Sequence, residues 1–305
     1  MLKGMITALV TPMDESGAID FVSLENLVNQ QIKAGVAGLV IAGTTGEAAL
    51  LNDDETYTLI NKVIAINQSR VKIIIGLSSA STKFSCDYIN NTLNKIKGVD
   101  YILVLTPYYI KPTQDGLYQY FMEIAKNSIH PIILYNVPGR TSCNLHNSTV
   151  IKLAQNCSNI IGLKDATGEI DRMIELVAHK PREFLLYSGD DETSLQFMLN
   201  GGDGVISVIS NIIPEKFSEM CRFALNIQQD QRNQAKATAL NNEIIELSEL
   251  LFIESNPIPV KWALFAMDKI KSPMLRSPLT VLLPVNQKKI MPVLEKVLGY
   301  KINAK

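Results

Sequence analysis

The sequence predicts a single (β/α)8 barrel, a TIM barrel, with a C-terminal helical extension. Eight short apolar segments rich in branched side chains recur along the first 213 residues, and amphipathic segments with helical periodicity separate them. Continuous apolar character is typical of strands buried on both faces of a parallel sheet, and strand–helix alternation requires such a sheet. Eight alternating units that close on themselves are the simplest solution.

The predicted strands, in chain order, are Met5–Val10, Gly38–Ala42, Val71–Leu77, Tyr101–Thr106, Pro131–Asn136, Ile160–Lys164, Phe184–Ser188 and Gly204–Val208. An open, doubly wound sheet is the alternative that this pattern leaves. No G-x-G-x-x-G follows the first strand, which removes the commonest reason to prefer the open sheet.

Helix signals flank these strands. Residues 21–34 place Leu24, Leu27 and Val28 on one apolar stripe, with Gly35 suited to the C-terminal cap. Residues 52–55 offer acceptors and negative charge at the start of a second helix. From Pro214 onward the pattern is wholly helical, with breaks near 256–259 and 272–273. The sequence therefore predicts a barrel core at 1–213, and the barrel's last helix with the extension at 214–305, as one structural unit.

Composition excludes several classes of function. The 29 basic and 30 acidic residues nearly balance, which predicts neither nucleic-acid nor membrane-surface binding. No apolar run approaches 18 residues, and the N-terminal apolar stretch is too short for a membrane span and lacks a cleavage site. The four cysteines form no C-x-x-C pair, which favours reduced thiols and a cytoplasmic location. Three scattered histidines predict no metal site.

The active site of a (β/α)8 barrel lies at the C-terminal ends of its strands, so those ends direct the search. The sixth strand ends in Lys164, after an apolar run that threatens to bury the ammonium. Burial disfavours an ammonium, and a neutral amine attacks a carbonyl to form a Schiff base. The structural alternative is a lysine that reaches the barrel rim or pairs with Asp165. Strand position alone does not favour either the catalytic or the structural interpretation.

Three other strand ends carry polar side chains. Thr44 and Thr45 lie in a glycine-flanked turn whose N–H and hydroxyl groups suit the carboxylate of a small oxo acid. Taken alone, they are better explained by a tight turn in which Glu47 begins the next helix. Tyr135 ends the neighbouring strand and could relay a proton through Thr44, with Tyr109 as a second phenol, although buried tyrosines at strand ends are more often structural. Arg140 offers a bidentate fork for a second carboxylate, and a surface salt bridge is its alternative.

At these residues the chain resembles the pyruvate-dependent class I aldolase family that includes dihydrodipicolinate synthases and N-acetylneuraminate lyases. The motifs G-T-T-G-E, T-P-Y-Y, Y-N-V-P-x-R and G-L-K-D-A-T-G occur in order, and the resemblance extends to N-P-I-P-V-K at 256–261. Among the members, the dihydrodipicolinate synthases are the most similar. Neuraminate lyases and sugar-acid aldolases generally lack the arginine found at 140, which favours a short, carboxylated aldehyde.

The resemblance implies that pyruvate forms an imine with Lys164 without any other cofactor, and that L-aspartate-4-semialdehyde is the second substrate. It implies that Thr44 and Thr45 hold the pyruvate carboxylate, and that Arg140 binds that of the semialdehyde. Tyr135, Thr44 and Tyr109 would relay protons, with Tyr109 supplied by a neighbouring subunit of a homotetramer built as a dimer of dimers. In relatives, the residue at Gly189 and the backbone carbonyl at Ile206 line the pocket.

Three further expectations follow. Another aldolase of the family, cleaving a 2-keto-3-deoxy sugar acid or N-acetylneuraminate, is the alternative activity, and a catalytically inactive binding protein is the alternative class. A metal-dependent aldolase would need a ligand cluster, which the sequence does not suggest.

The positions that match the allosteric site of lysine-inhibited relatives read Asp53, Thr56, Ala80 and Phe84. Phe84 cannot neutralise an ammonium, so we expect weak or absent inhibition by L-lysine.

Overall fold

The computed structural model describes residues 2–302 and contains eight parallel strands. They are β1 (Gly4–Ala8), β2 (Gly38–Ile41), β3 (Lys72–Leu77), β4 (Tyr101–Leu105), β5 (Ile132–Asn136), β6 (Ile160–Asp165), β7 (Leu185–Ser188) and β8 (Gly204–Ser207). Each strand pairs with the next, and β8 pairs with β1 to close the barrel. The predicted (β/α)8 fold class is confirmed.

The eight predicted strands are all present, with small differences at their ends. The largest difference is in β1, where the apolar run continues through Leu9 and Val10 beyond the last strand residue, Ala8. The Val10 N–H donates to the side-chain oxygen of Asn211 at 3.1 Å. This buried backbone donor is therefore satisfied outside the sheet, and the strand ends although the chain stays apolar.

Side chains along each strand alternate between two buried environments. Those that face the barrel axis form an inner cluster, which includes Ile74 and Ile133. Their neighbours in sequence, such as Ile73 and Leu134, pack in a larger cluster between the barrel and the helices. Because both faces are covered, neither face needs polar side chains, and the strands appear in the sequence as unbroken apolar runs.

Helices surround the barrel. Those that lie between the strands are α1 (Phe21–Lys33), α2 (Asp53–Asn67), α3 (Thr82–Asn91), α4 (Gln114–Asn127), α5 (Pro138–Thr141), α6 (Asn147–Asn156), α7 (Ile170–His179) and α8 (Ser194–Leu199). The two predicted helix starts are confirmed by their caps. Asp20 accepts hydrogen bonds from the Val22 and Ser23 N–H groups, and Asn52 and Glu55 form a capping box.

The chain after β8 is helical, as predicted. It forms α9 (Pro214–Leu225), α10 (Arg232–Leu250), α11 (Ile258–Ala266) and α12 (Pro284–Leu298). Helix α9 packs against β1 and β8, α10 packs on α9, and α12 packs on α10 and α11. No helix within residues 2–302 combines the length and the apolar character needed to cross a membrane. The division into 1–213 and 214–305 stays a proposal.

A buried ion pair joins the extension to the barrel. Lys261 Nζ in α11 donates to Glu47 Oε1 at 2.7 Å, and both side chains are fully buried. The second carboxylate oxygen of Glu47 accepts a hydrogen bond from the Arg276 N–H at 3.0 Å. Burial lowers the pKa of Lys261, and Glu47 opposes this shift by favouring the charged amine. Each charge therefore depends on the other.

We expect Lys261→Met to destabilise the protein strongly because it leaves the Glu47 carboxylate buried without its cation. Removing one partner of a buried pair costs about 3–5 kcal/mol of unfolding free energy. The double variant Glu47→Gln/Lys261→Met removes both charges and should recover much of the loss. Urea denaturation of the two variants measures this difference. A single variant as stable as the double variant would contradict the dependence of one charge on the other.

Candidate active site

A cavity of about 210 Å³ lies at the C-terminal ends of the strands. Six of the residues singled out in the sequence line it, namely Thr44, Thr45, Tyr135, Arg140, Lys164 and Gly189. They follow or end strands β2, β5, β6 and β7. The barrel thus brings together side chains that are far apart in the chain, at the edge where this fold places its active sites.

Lys164 is buried beside an aromatic ring, with only 6% of its surface exposed. Its Nζ lies 4.2 Å from the centroid of the Tyr135 ring. Among residues 2–302, no carboxylate lies within ion-pair distance of this amine. The amine is therefore held in the cavity by packing and by the ring, and no counter-ion neutralises it.

Asp165, the alternative partner for Lys164, is engaged elsewhere. Its Oδ2 accepts a hydrogen bond from Arg172 Nε at 2.6 Å, and its Oδ1 accepts from both the N–H and the hydroxyl of Thr167. Both ionic side chains of this pair are at least nine-tenths buried. The interpretation of Lys164 as half of a Lys164–Asp165 ion pair is therefore wrong, because Arg172 occupies the carboxylate.

A bulge in β6 determines which side chain faces Tyr135. Ile132 pairs with Ile160 but Ile133 pairs with Gly162, so β6 contains one extra residue. The shift places Lys164 directly opposite Tyr135; an unbroken register would place Leu163 there. Bulges re-aim side chains near functional sites, and this one points the amine into the cavity.

Gly189 makes room for the lysine stem. A Cβ atom at this position would lie 2.8 Å from Lys164 Cε and 2.7 Å from the Ala166 Cβ. Both distances are shorter than normal carbon contacts. The absence of a side chain at Gly189 therefore allows Lys164 its observed path along the cavity wall.

The turn after β2 presents two hydroxyls to the cavity. The turn is closed by a bond from the Glu47 N–H to the Thr44 carbonyl at 3.1 Å, and Glu47 adopts a left-handed conformation with φ of 58°. Thr45 is buried, and its Oγ1 accepts a hydrogen bond from Asn256 Nδ2 at 3.0 Å. The Thr44 and Tyr135 hydroxyls do not hydrogen-bond each other, so the structure contains no direct relay between them.

Arg140 lies at the mouth of the cavity on α5. Its guanidinium donates to the Asn256 carbonyl at 3.2 Å. Within residues 2–302 it forms no salt bridge, so the surface ion pair considered as an alternative is absent from that part of the chain. A cation without a carboxylate partner at the entrance suits an anionic ligand.

Two of the predicted site residues lie outside the cavity lining. Tyr109 is 88% exposed and has a positive φ of 73°. The Ile206 side chain is buried in the inner cluster of the barrel, opposite Ile6 of β1. Val208, two residues later, lines the cavity in its place. The role of the Ile206 carbonyl stays a prediction.

A second cavity, of about 920 Å³, adjoins the first and shares Thr44, Arg140 and Asn256 with it. Phe84 lines this second cavity and is half exposed, stacked on Tyr88 with 6.2 Å between ring centroids. Its ring presents no charge to this space. The weak or absent inhibition by L-lysine stays a prediction.

Two side chains near the site were not identified from the sequence. Asn256 lines the cavity, and Lys261 holds Glu47 from outside it. The signal was present in the composition of α11, where Lys261 is a lone charge between Val260 and Trp262. A single lysine in an otherwise apolar helix indicates a buried partner, because an unpaired buried ammonium is unstable.

Comparisons with known proteins agree with this geometry. The model of the dihydrodipicolinate synthetase family matches residues 1–297. The chain belongs to the dihydrodipicolinate synthetase family. A 4-hydroxy-tetrahydrodipicolinate synthase from Laribacter hongkongensis is 43% identical over 297 residues, which covers 97% of this chain and 98% of the relative. The enzyme of the same name from Pseudomonas aeruginosa is 43% identical and covers 93% of this chain and 94% of its own.

Solved structures of the dihydrodipicolinate synthetase family share the fold. The chloride-inhibited dihydrodipicolinate synthase from Acinetobacter baumannii, crystallised with pyruvate, is 42% identical with a TM-score of 0.92, and the match covers 97% of this chain and 99% of that one. The dihydrodipicolinate synthase of Thermotoga maritima is 35% identical with a TM-score of 0.92, and the match covers 97% of this chain and 99% of that one. The family resemblance inferred from the motifs is confirmed.

We expect Gly189→Ala to lower kcat by about 100-fold, because misplacing a reacting group by an ångström has an effect of that order. The added methyl would press on Lys164 Cε. Gly139→Ala is the matched control, since a Cβ there meets no atom within 4 Å. Steady-state rates and thermal unfolding of both variants provide the measurement. Equal rates for the two variants would mean that Lys164 does not depend on this space.

Proposed function

We propose that this chain is a 4-hydroxy-tetrahydrodipicolinate synthase, which condenses pyruvate with L-aspartate-4-semialdehyde through a Schiff base on Lys164. The single observation that carries the proposal is the Lys164 amine, buried in a cavity without a carboxylate partner. The proposal agrees with the names of the relatives and with the pyruvate bound by the Acinetobacter baumannii enzyme. It requires no metal or other cofactor.

The first half of the reaction activates pyruvate. The Lys164 amine adds to the ketone carbon, and loss of water from the carbinolamine gives the imine. Thr44 and Thr45 hold the pyruvate carboxylate through hydroxyl and backbone donors. Loss of a methyl proton converts the imine into an enamine. Tyr135 is the proton donor and acceptor next to the amine, and the proposed relay to Thr44 requires that the two hydroxyls come into contact when pyruvate binds.

The second half joins the two substrates. Arg140 binds the carboxylate of the semialdehyde, and the enamine carbon attacks the aldehyde to form the new carbon–carbon bond. The resulting alkoxide takes a proton through the hydroxyl relay. The amine of the second substrate then attacks the imine carbon and displaces Lys164, which closes the ring and frees the enzyme. Gly189 and the Ile206 carbonyl complete the wall of the pocket.

Arg140 separates this activity from the other aldolases of the family. A polyhydroxylated aldehyde would leave the guanidinium of Arg140 without an anion, and unpaired charged groups strongly disfavour a substrate. We therefore expect turnover with pyruvate and aspartate semialdehyde, and little cleavage of 2-keto-3-deoxy sugar acids or N-acetylneuraminate. Side-by-side kinetics with these substrates distinguish the two activities.

Intact mass spectrometry after incubation with pyruvate and borohydride tests the covalent step. We expect the wild-type chain to gain the mass of one reduced pyruvate adduct, because borohydride reduces an imine to a stable secondary amine. Lys164→Ala should gain none, since it lacks the amine. Peptide mapping should place the adduct on Lys164. A wild-type chain without an adduct would instead favour the inactive binding protein, and an adduct on another lysine would overturn the assignment of Lys164.

The exposure of Tyr109 supports the proposal of a homotetramer, built as a dimer of dimers, in which this phenol completes the site of a neighbouring subunit. Tyr109 and Ile110 are 88% and 58% exposed, and Tyr109 has a positive φ. One protomer therefore holds an aromatic ring away from its own cavity. A monomeric dihydrodipicolinate synthase variant is also known, so assembly has to be measured.

The four free cysteines support a reducing, cytoplasmic location.

Co-expression of Tyr109→Phe and Lys164→Ala subunits tests the role of Tyr109. Each variant alone should be at least 100-fold less active, as for the loss of an acid–base group or a nucleophile. In mixed pairs, the intact Lys164 of one subunit meets the intact Tyr109 of the other. We expect roughly a quarter of the wild-type rate from random pairing in a two-fold dimer. No recovery in isolated mixed dimers would mean that Tyr109 does not act across the interface.

A further inference from the structure

Asn256 connects the C-terminal extension to both sides of the cavity. It precedes α11, lines the cavity and is 6% exposed. Its Nδ2 donates to Thr45 Oγ1 at 3.0 Å, and its backbone carbonyl accepts from Arg140 at 3.2 Å. The Asn256 side chain therefore contacts Thr45, at the site predicted for the pyruvate carboxylate. Its backbone contacts Arg140, at the site predicted for the carboxylate of the semialdehyde.

The hydrogen bond between Asn256 and Thr45 fixes the direction in which Thr45 donates. A hydroxyl has one donor and two acceptor lone pairs, and the amide nitrogen uses one of the lone pairs. Within the described residues Thr45 makes no other side-chain hydrogen bond. Its single O–H is therefore free for an oxygen acceptor in the cavity.

The other end of the Asn256 amide has no partner. Asn256 Oδ1 is buried and accepts no hydrogen bond within residues 2–302. Buried polar atoms are nearly always paired, and an exception calls for an explanation. The reversed amide would pair Oδ1 with the Thr45 hydroxyl, but it would consume the only proton that Thr45 can give. The observed orientation leaves the amide oxygen unpaired and keeps the Thr45 donor free.

We propose that Asn256 is a positioning residue for pyruvate: it holds Thr45 as a hydrogen-bond donor to the substrate carboxylate. This inference rests on the proposed function, because it assumes that an oxo acid occupies the cavity. Asn256 acts through Thr45 and does not take part in the covalent steps. Loss of its side chain should therefore weaken pyruvate binding more than it slows the chemistry, while the backbone bond to Arg140 is retained.

Asn256→Ala is the first variant to measure. We expect the KM for pyruvate to rise about 10-fold, as for a weakened hydrogen bond to a charged group, with kcat and the KM for the aldehyde changing less than threefold. Asn256→Asp should raise the KM for pyruvate further, because a carboxylate only accepts and repels the anionic substrate. Wild-type pyruvate saturation in Asn256→Asp would overturn the assigned amide orientation.

A double-mutant cycle with Thr45→Val separates positioning from a general structural effect. If Asn256 acts through Thr45, then Asn256→Ala should change the KM for pyruvate by less than about twofold once the hydroxyl is gone. Additive effects of the two substitutions would overturn the proposal. Asn67→Ala is the matched control, since Asn67 is a buried asparagine at the end of α2 that donates to the Val71 carbonyl and does not line the cavity. It should leave the KM for pyruvate unchanged.

Borohydride trapping at graded pyruvate concentrations distinguishes this inference from the proposed function. A wild-type chain that forms no adduct contradicts the Schiff-base reaction itself. A wild-type chain that forms the adduct, with Asn256→Ala trapped at the same half-saturating pyruvate concentration, contradicts only the role of Asn256. We expect wild-type trapping, with the half-saturating concentration of the variant shifted upward by about 10-fold.

Discussion

The site depends on a lysine amine that the barrel buries without giving it an anion. An isolated ammonium in a low-dielectric interior is unfavourable, and a protein normally pairs it or lets it reach water. Here the neighbouring carboxylate of Asp165 is held by Arg172, and the Tyr135 ring covers Nζ at 4.2 Å. This arrangement leaves the Lys164 amine in the cavity without an ion-pair partner, as the proposed Schiff-base reaction requires.

Two glycines and a bulge provide this arrangement. The extra residue in β6 rotates Lys164 into the cavity opposite Tyr135, and a Cβ at Gly162 would lie 2.7 Å from the Leu185 carbonyl. Gly189 then leaves the space that the lysine stem occupies. The backbone at these positions determines where the lysine stem enters the cavity, and the Tyr135 ring then packs against the amine.

The fold and most of the candidate site followed from local patterns in the sequence. Apolar runs located all eight strands, and strand ends identified Lys164, Tyr135 and Thr44, because the C-terminal edge of a barrel is known in advance. The bulge in β6 could not be predicted, since no periodicity distinguishes Ile160-Ile161-Gly162 from a regular strand. The pairing of Asp165 with Arg172 was also beyond reach, because a sequence pattern carries no side-chain geometry.

The C-terminal extension is the part whose role the sequence revealed least, because its contacts with the turn after β2 join residues more than 200 positions apart. Three hydrogen bonds tie it to the turn after β2: Asn256 to Thr45, and Lys261 and the Arg276 backbone to Glu47. Separating the extension from the barrel would remove the cation and the backbone donor that hold the Glu47 carboxylate, which lies in the same turn as Thr44 and Thr45. Under the proposed function, displacement of the extension would therefore weaken the fold and leave an unpaired negative charge in the turn that carries the proposed carboxylate site.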